Sequence, residues 1–557
     1  MNFGKYSQLF LGLLIGVFTA GGIFYVYDRS VTTNTIAEAE KIIGLEFTEA
    51  QRERIVQNLN NNVPFYEAMR ALEMPNETPF PLYFDPTPPG KQYSFDPQIV
   101  IEWDIPENIN MPDNQVDLAF YTVAELSALI RDRKITSVEL TQFFLDRLKK
   151  HDPKLESVVT LTEDRALQQA ALMDQELANG KYRGPLHGIP YGAKDLFAVK
   201  GYKTTWGAMP YKDQEIDETA TVIKKLDEAG AVLIAKMTLG ALAYGDIWFG
   251  GRTNNPWNLE QGSSGSSAGS ASATAAGLLP FALGTETLGS IVSPATRNGA
   301  TGLRPTFGRV SRHGAMALSW TMDKVGPLTR SVEDAAIVFD AIRGQDHMDH
   351  TVKDLPFNYV KDVDLSELRI GYYKSAFESN YGTASFDSTS LEVLRSLGAE
   401  LIPVELPSLP LGGMFNLLTA EAAAAFDELT LSGRDSLMVW QANNAWPNSF
   451  RAVRFVPAVE WIQMNRVRGE LIIQMDKALK DVDMYISPAF AGGNLLITNL
   501  TGHPAVVLPN GFTDSGQPVS ITFMGHLYDE ATILAVAKKY QEATGFHKKH
   551  PPLFVHE

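Results

Sequence analysis

Beyond an N-terminal region, stretches with the apolar spacing of helices alternate with short, continuous apolar runs. The run at residues 231–235 follows a predicted helix at residues 220–229, with Gly230 between them as a stop signal. Similar steps occur at residues 368–372 and 484–486. Because helices alternating with buried apolar strands are typical of α/β proteins, we predict one large α/β domain whose mixed central sheet is flanked by helices.

Two helix starts in this domain have the pattern of a capping box, in which a threonine and a glutamate three residues apart satisfy free backbone N–H groups. Thr122 and Glu125 form the first pair, and Thr136 and Glu139 form the second. Each pair opens a segment with amphipathic spacing, so we expect a helix to begin at each threonine.

Near the N-terminus, residues 9–27 are uncharged, between Lys5 and Asp28. As a helix this run spans about 29 Å, close to a hydrocarbon thickness of about 30 Å. A cleaved signal peptide is the alternative, but its apolar region is usually about 7–15 residues and ends in small residues. We expect an uncleaved single-pass anchor in the cell membrane, with the rest of the chain outside the cytoplasm; cleavage would give a secreted or periplasmic protein.

The region after this run has two parts. Residues 35–71 show amphipathic helical spacing, which Pro64 is expected to break or kink near the end. Residues 75–112 are rich in Pro, Asn and Asp, which predicts an extended strap, and their aromatic residues indicate that it packs on the body. The predicted organisation is an anchor at residues 1–30, an extension at 31–115 and a large domain at 116–557.

The composition limits the chemistry. The 557 residues include 65 acidic and 48 basic side chains, a net charge of −17, which argues against broad binding to phosphate backbones and predicts no nucleic-acid partner. There is no cysteine, so disulfides, thiolate metal sites and cysteine nucleophiles are excluded. Catalysis would therefore rely on oxygen and nitrogen groups.

A run of Ser, Gly and Ala at residues 262–276 is the most informative segment. A flexible linker often has this composition, but here apolar residues 278–283 follow directly, as expected for a tightly packed helix that leads into a buried strand. Residues 265–269 also match G-x-S-x-G, which would make Ser267 the nucleophile of an α/β-hydrolase elbow. That elbow needs a hydrophobic strand before it, and residues 254–262 are polar.

Further motifs lie at residues 188–195, 264–270, 284–295, 302–306 and 499–505. Together they resemble the amidase signature family, and the likeness covers roughly residues 117–550. The resemblance implies a Ser-cisSer-Lys triad in which Lys194 is the base and Ser290 is the acylated nucleophile. The bridging serine of the family lies 24 residues before the nucleophile, which selects Ser266; Ser263, in a competing Gly-Ser-Ser register, is the alternative.

The chemistry of these residues is consistent with that triad. A serine hydroxyl is a weak nucleophile, and a lysine can act as its base only when burial lowers the lysine pKa towards neutrality. Ser266 can accept a proton from Ser290 while donating to Lys194. The backbone N–H groups of Thr287, Leu288, Gly289 and Ser290 are the expected oxyanion hole. The carboxylate of Asp195, next to Lys194, is the one feature that brings a charge near the base.

Four residues depart from the family pattern without touching the triad: Glu286, Leu288, Val292 and Asn298. The sequence therefore predicts an amidohydrolase for a small-molecule amide, with no metal and no organic cofactor. Two alternatives stay open, the glutaminase subunit of a tRNA-dependent amidotransferase and a noncatalytic membrane-tethered binding protein.

Gly12 and Gly16 have a G-x-x-x-G spacing that also leaves a homodimer open. The Asp/His cluster at residues 346–350 is interpreted as an exposed loop rather than a metal site.

Overall fold

The computed structural model describes residues 30–72 and 74–556. They belong to two compact units, with residues 30–72 in the first and residues 74–556 in the second. The predicted anchor at residues 9–27 lies outside the described residues. Across residues 30–72 and 74–556, no helix is both long enough and apolar enough to cross a lipid bilayer. The predicted extension at residues 31–115 spans both units, with its helices in the first and its Pro-rich part in the second.

Two helices form the described part of the first unit, Thr33–Ile43 and Glu49–Arg70. The prediction of one helix over residues 35–71 was wrong, because Gly44 adopts a left-handed conformation (φ 68°) and ends the first helix. Pro64 lies within the second helix and does not end it. The segment is therefore interrupted at Gly44 rather than at Pro64.

The second unit is built on an eleven-stranded mixed sheet, as the alternating pattern predicted. Its strands are β1 Val158–Leu161, β2 Pro190–Lys194, β3 Val232–Met237, β8 Phe281–Glu286, β9 Thr301–Arg304, β10 Lys324–Thr329, β11 Arg369–Tyr373, β12 Glu400–Val404, β13 Met484–Pro488, β14 Ala505–Phe512 and β15 Pro518–Gly525. Their order across the sheet is β1-β3-β2-β8-β10-β9-β14-β15-β13-β11-β12. Two small hairpins pair β4 Ile247–Trp248 with β5 Gly251–Arg252, and β6 Asn254–Asn255 with β7 Asn258–Gly262.

Helices connect the strands of this sheet. They are Val123–Arg131, Ser137–Leu155, Glu163–Ala178, Thr221–Ala229, Ala268–Ala275, Val292–Asn298, Val332–Ile342, Lys374–Glu378, Ala384–Ser396, Phe415–Ala425, Asp427–Leu431, Trp446–Val453, Ala458–Ala478, Asn494–Thr501 and Glu530–Thr544. Both predicted capping boxes are present, at Thr122 with Glu125 and at Thr136 with Glu139.

The strap, residues 75–112, runs without a helix or strand along the second unit, and its aromatic rings pack on the body as predicted. Phe80 stacks on Trp320 with ring centroids 4.9 Å apart, Phe84 meets Phe307 edge-on at 5.1 Å, and Trp103 stacks on Tyr359 at 5.7 Å. These contacts are distributed along the strap, which makes it part of the packed structure of this unit.

The sheet brings two chain segments to one edge. Strands β2 and β8 are parallel neighbours, so their carboxyl ends, Lys194 and Glu286, lie at the same edge. The helix Ala268–Ala275 is buried along its whole length and packs close to the sheet. Gly269 permits this approach, since a Cβ there would lie 2.2 Å from the carbonyl oxygen of Ser157 and 2.7 Å from the amide nitrogen of Thr238.

Candidate active site

Lys194 is the last residue of β2 and is fully buried. Its Nζ donates to Ser266 Oγ at 2.8 Å, to Thr285 Oγ1 at 2.9 Å and to Ser267 Oγ at 3.1 Å. Burial lowers the pKa of Lys194 to about 7, with the charges of Asp323 and Glu286 acting in the opposite direction. The ammonium group therefore lies among hydroxyl groups rather than against a carboxylate, which is the environment that favours a neutral amine near pH 7.

The neighbouring carboxylate, Asp195, is directed to a different lysine. Its Oδ1 lies 2.7 Å from Nζ of Lys236 on β3, and both side chains are fully buried. Its Oδ2 accepts from the amide of Thr205 at 2.9 Å. Because Asp195 is paired with Lys236, it does not hold Lys194 in the charged form by direct contact.

Three serines near the lysine differ in how their hydroxyl groups are used. Ser263 donates to the carbonyl of Ser264 at 2.9 Å and does not reach Lys194. Ser267 donates to the carbonyl of Thr285 at 3.1 Å and accepts from the amide of that residue at 3.2 Å, so its proton is committed. Ser266 follows a cis peptide bond from Gly265, and within the described residues its Oγ has Lys194 as its hydrogen-bond partner.

Ser290 lies in the turn after β8, where its side chain is 9% exposed. Its carbonyl oxygen accepts from the amide of Ser267 at 3.2 Å, which joins the two serine segments. Gly289 before it has φ 87°, a left-handed conformation that glycine adopts without strain. In the part of the chain that the structure describes, the N–H groups of Leu288, Gly289 and Ser290 donate to no protein acceptor, so they are free to bind a ligand oxygen.

The carboxylate of Glu286, at the end of β8, binds the backbone that follows Ser290. Its Oε2 accepts from the amides of Ile291 and Val292, each at 2.9 Å, and its Oε1 accepts from Arg304 Nη1 and Asn499 Nδ2, each at 2.8 Å. Burial raises the pKa of Glu286, but the Arg304 guanidinium and these hydrogen bonds outweigh it and lower the pKa to about 2. The carboxylate therefore stays charged and caps the segment that follows Ser290.

The role of Glu286 was not predicted from the sequence, which marked this residue only as a departure from the family pattern. The signal that could have indicated it is its position five and six residues before the first amides of a short helix. Asn298, another departure, donates to the carbonyls of Ser263 and Pro294 at 2.8 and 2.7 Å, which ties the serine segment to the helix Val292–Asn298.

The two aspartates of the Asp/His cluster at residues 346–350 bind side chains of neighbouring segments. Asp346 accepts from Thr221 Oγ1 at 2.6 Å and from the hydroxyl of Ser311, and Asp349 pairs with Arg312 at 2.8 Å. Within residues 30–72 and 74–556, no group of three or more His, Asp or Glu side chains is placed to hold a metal ion.

A cleft of about 400 Å³ borders the two serine segments. Ser264 and Ser293 lie on one wall and share a hydrogen bond of 2.8 Å between their hydroxyl oxygens. Phe490 and Pro518 line the wall with apolar groups, and Ser520, 4% exposed, is also part of the lining. The cleft thus combines hydroxyl groups with apolar surface, but its lining does not include Lys194, Ser266 or Ser290.

The chain is similar to known proteins over most of its length. The family model described as Amidase matches residues 139–495. The A subunit of a glutamyl-tRNA(Gln) amidotransferase from Coxiella burnetii is 32% identical over 480 residues, which cover 78% of this chain and 99% of that protein. Its counterpart from Halorhodospira halophila is 34% identical over 482 residues, with the same coverage.

Among solved structures, the native peptide amidase from Stenotrophomonas maltophilia is 30% identical with a TM-score of 0.69, covering 77% of this chain and 98% of that one. The family match therefore extends over more than half of the chain, and the relatives align over nearly their whole length. The chain belongs to the amidase signature family and is an amide-hydrolysing enzyme.

Proposed function

We propose that this enzyme hydrolyses the C–N bond of a carboxamide through an acyl-enzyme on Ser290, with Lys194 as the base and Ser266 as the proton relay. The observation that carries the proposal is the buried Lys194, whose Nζ lies 2.8 Å from Ser266 Oγ and which has a pKa of about 7. A lysine in that position is neutral in a large fraction of molecules near pH 7 and can accept a proton.

The hydrogen bonds around Lys194 determine the direction of proton transfer. A neutral amine has two N–H donors and one lone pair, whereas three hydroxyl oxygens surround Nζ. Ser267 already donates to the carbonyl of Thr285, so it can only accept from the lysine. The hydroxyl groups of Ser266 and Thr285 have no other acceptor among the described residues, so either can donate to the lone pair of Lys194, and we assign this donation to Ser266 as the relay.

The reaction then proceeds in two stages. As Ser290 Oγ attacks the amide carbonyl, its proton passes to Ser266, and the proton of Ser266 passes to Lys194. The oxyanion of the tetrahedral intermediate accepts from the free N–H groups of Leu288, Gly289 and Ser290. The proton returns through Ser266 to the leaving nitrogen, the C–N bond breaks, and an acyl-enzyme remains. Water then attacks the ester, with the same relay as general base, to release the carboxylic acid.

A fluorophosphonate probe tests this proposal because it reacts with activated serines. The wild-type enzyme should be labelled covalently, and labelling should be lost in Ser290→Ala with no change in melting temperature. Ser293→Ala, in the helix Val292–Asn298 that follows, is the matched control and should still be labelled. An unlabelled wild-type enzyme would contradict the proposal.

A second candidate is the glutaminase subunit of a tRNA-dependent amidotransferase, and the curated relatives favour it. The two reported above both carry the name of the A subunit of glutamyl-tRNA(Gln) amidotransferase and align over 99% of their own lengths. Both candidates use the same serine chemistry, so the probe does not separate them. Glutamine hydrolysis that requires added partner proteins would support the second candidate, whereas hydrolysis of simple amides by the purified chain alone would support the first.

We also propose that residues 9–27 anchor the enzyme in the cell membrane, with the catalytic domain outside the cytoplasm. The support is the length of this uncharged run, which as a helix matches the hydrocarbon thickness. Membrane fractionation of the full chain and of a form lacking residues 1–30 tests it. The full chain should sediment with membranes and the shortened form should not; a full chain found uncleaved in the soluble fraction would refute the anchor.

A further inference from the structure

The strap, which lies outside the region matched by the family model, touches a loop that leads to the active site. Asn76 clamps the backbone of Ala317 with both ends of its side-chain amide. Its Oδ1 accepts from the Ala317 amide at 2.8 Å, and its Nδ2 donates to the Ala317 carbonyl at 2.8 Å and to the Ala425 carbonyl at 3.3 Å. Four residues further along the strap, Phe80 stacks on Trp320 of the same loop.

This loop, residues 317–323, has no regular secondary structure and leads into β10. The carboxylate of Asp323, at the end of the loop, binds the backbone at its start. Its Oδ2 accepts from the amides of Leu318 and Ser319 at 2.8 and 2.9 Å. The other oxygen, Oδ1, accepts from Thr287 Oγ1 at 2.6 Å. One side chain therefore links the segment held by the strap to the turn that carries the proposed oxyanion hole.

Side chains from two helices, Glu421 and Arg468, also bind the loop. Glu421 accepts from Ser319 Oγ at 2.7 Å and from the amide and hydroxyl of Thr321 at 3.0 and 2.8 Å. Arg468 donates to the carbonyl and hydroxyl of Thr321 at 2.9 and 2.8 Å, and its guanidinium lies 3.5 Å from the ring centroid of Phe84 on the strap. The loop is thus enclosed between the strap and two helices, which leaves little freedom to Asp323.

We infer that the strap positions the oxyanion hole: Asn76 fixes the loop of residues 317–323, and Asp323 in that loop fixes Thr287 at the turn before Ser290. Asn76 and Asp323 are positioning residues that act through Thr287 without touching the substrate. The inference rests on the proposed hydrolysis through Ser290. Small displacements matter here, because hydrogen bonds to an oxyanion depend steeply on donor position.

The test measures the rate of covalent labelling by a fluorophosphonate in the full-length enzyme as a function of pH. Asn76→Ala should lower the maximal labelling rate roughly ten- to a hundredfold, since a misplacement of about 1 Å at a reacting centre can cost that much. The apparent pKa of the labelling rate should stay the same or fall slightly, because the hydroxyl partners of Lys194 are untouched and the charge of Asp323, which raises the pKa of Lys194, can only weaken if the loop loosens. A raised pKa would show that the variant disturbs the packing around Lys194 and would overturn the inference.

Gln98→Ala is the matched control. Gln98 clamps the backbone of Phe357 in the same way, accepting from its amide at 2.7 Å and donating to its carbonyl at 2.9 Å, but it touches a different loop. Both variants remove one amide clamp of the strap, so their melting temperatures should fall alike. Only Asn76→Ala should lose labelling rate. Equal losses in the two variants would mean that the strap acts only through stability, and would overturn the inference.

A double-mutant cycle with Thr287→Val tests the connection itself. Valine keeps the shape of threonine but cannot donate to Asp323, so the path from Asn76 ends there. Asn76→Ala should then cost little more in the Thr287→Val background than Thr287→Val costs alone. Additive losses would show that no path through Thr287 exists. If the wild-type enzyme is not labelled, the proposed hydrolysis fails; if it is labelled and Asn76→Ala is labelled at the same rate, only the role of the strap fails.

Discussion

The pH dependence of acylation follows directly from the position of Lys194. Burial lowers its pKa from 10.5 to about 7. At pH 7 a lysine with the ordinary value would be neutral in roughly one molecule in 3,000, whereas here about half of the molecules have a neutral base. The shift therefore raises the reactive fraction by roughly three orders of magnitude, with no other change in the active site.

The sign of the effect is set by the need for a neutral base. Below pH 7 Lys194 becomes protonated and cannot accept from Ser266, so the labelling rate should fall about tenfold for each further unit of pH. From pH 6 to pH 8 we expect a rise of about tenfold, followed by a plateau. Lys194→Ala should lower the plateau by about 10²- to 10⁴-fold, the usual contribution of a general base, and should remove the pH dependence.

The assay is the rate of labelling by a fluorophosphonate measured from pH 5.5 to pH 9, with circular dichroism at each pH as the control for unfolding. A rate that does not change with pH in the wild-type enzyme would refute the reasoning, because it would mean that no group with a pKa near 7 controls acylation. The same pH profile in Lys194→Ala would assign the controlling group to another residue.

Three further predictions concern the surroundings of the active site. Ser266→Ala should slow labelling far more than Ser263→Ala, and the reverse order would select the other register. Arg304→Met should lower the free energy of unfolding by about 3–5 kcal/mol in urea denaturation, because it leaves the buried Glu286 carboxylate without its cation; an unchanged midpoint would contradict this. Burial raises the pKa of Asp334 to about 7, so its folded form holds a proton that the unfolded chain releases near pH 4. Stability should therefore fall as pH rises from about 4 to 7, and Asp334→Asn should flatten that fall in melting-temperature measurements; an equal slope in both proteins would exclude Asp334 as its cause.

Local patterns were sufficient for some of this structure. The capping boxes at Thr122 and Thr136 were predictable because their hydrogen bonds join residues three apart in sequence. The resemblance to the family selects Ser266 through its spacing to Ser290, and Ser266 Oγ rather than Ser263 Oγ lies within hydrogen-bond distance of Lys194 Nζ; the role of Ser266 as the relay stays a prediction. In these cases the interacting groups lie close in sequence or in a motif of fixed spacing.

Other features depend on contacts between distant segments. The loop at residues 317–323 has no pattern of its own, and its role appears only when Asp323 meets Thr287 and Asn76 meets Ala317, 241 positions apart. The pairing of Asp195 with Lys236 likewise depends on the register of β2 against β3. No local rule in the sequence indicates which of the two lysines a given carboxylate will face.

The packing of the strap has a consequence for dissecting the protein. A truncated form that starts at residue 116, where the resemblance to the family begins, would lose Phe80, Phe84 and Trp103 and uncover the rings of Trp320, Phe307 and Tyr359 against which they pack. Newly exposed aromatic surface of this kind promotes aggregation. A cut at Met74, where the second compact unit begins, keeps all three ring contacts, so a catalytic fragment should begin before the strap rather than at the start of the region that resembles the family.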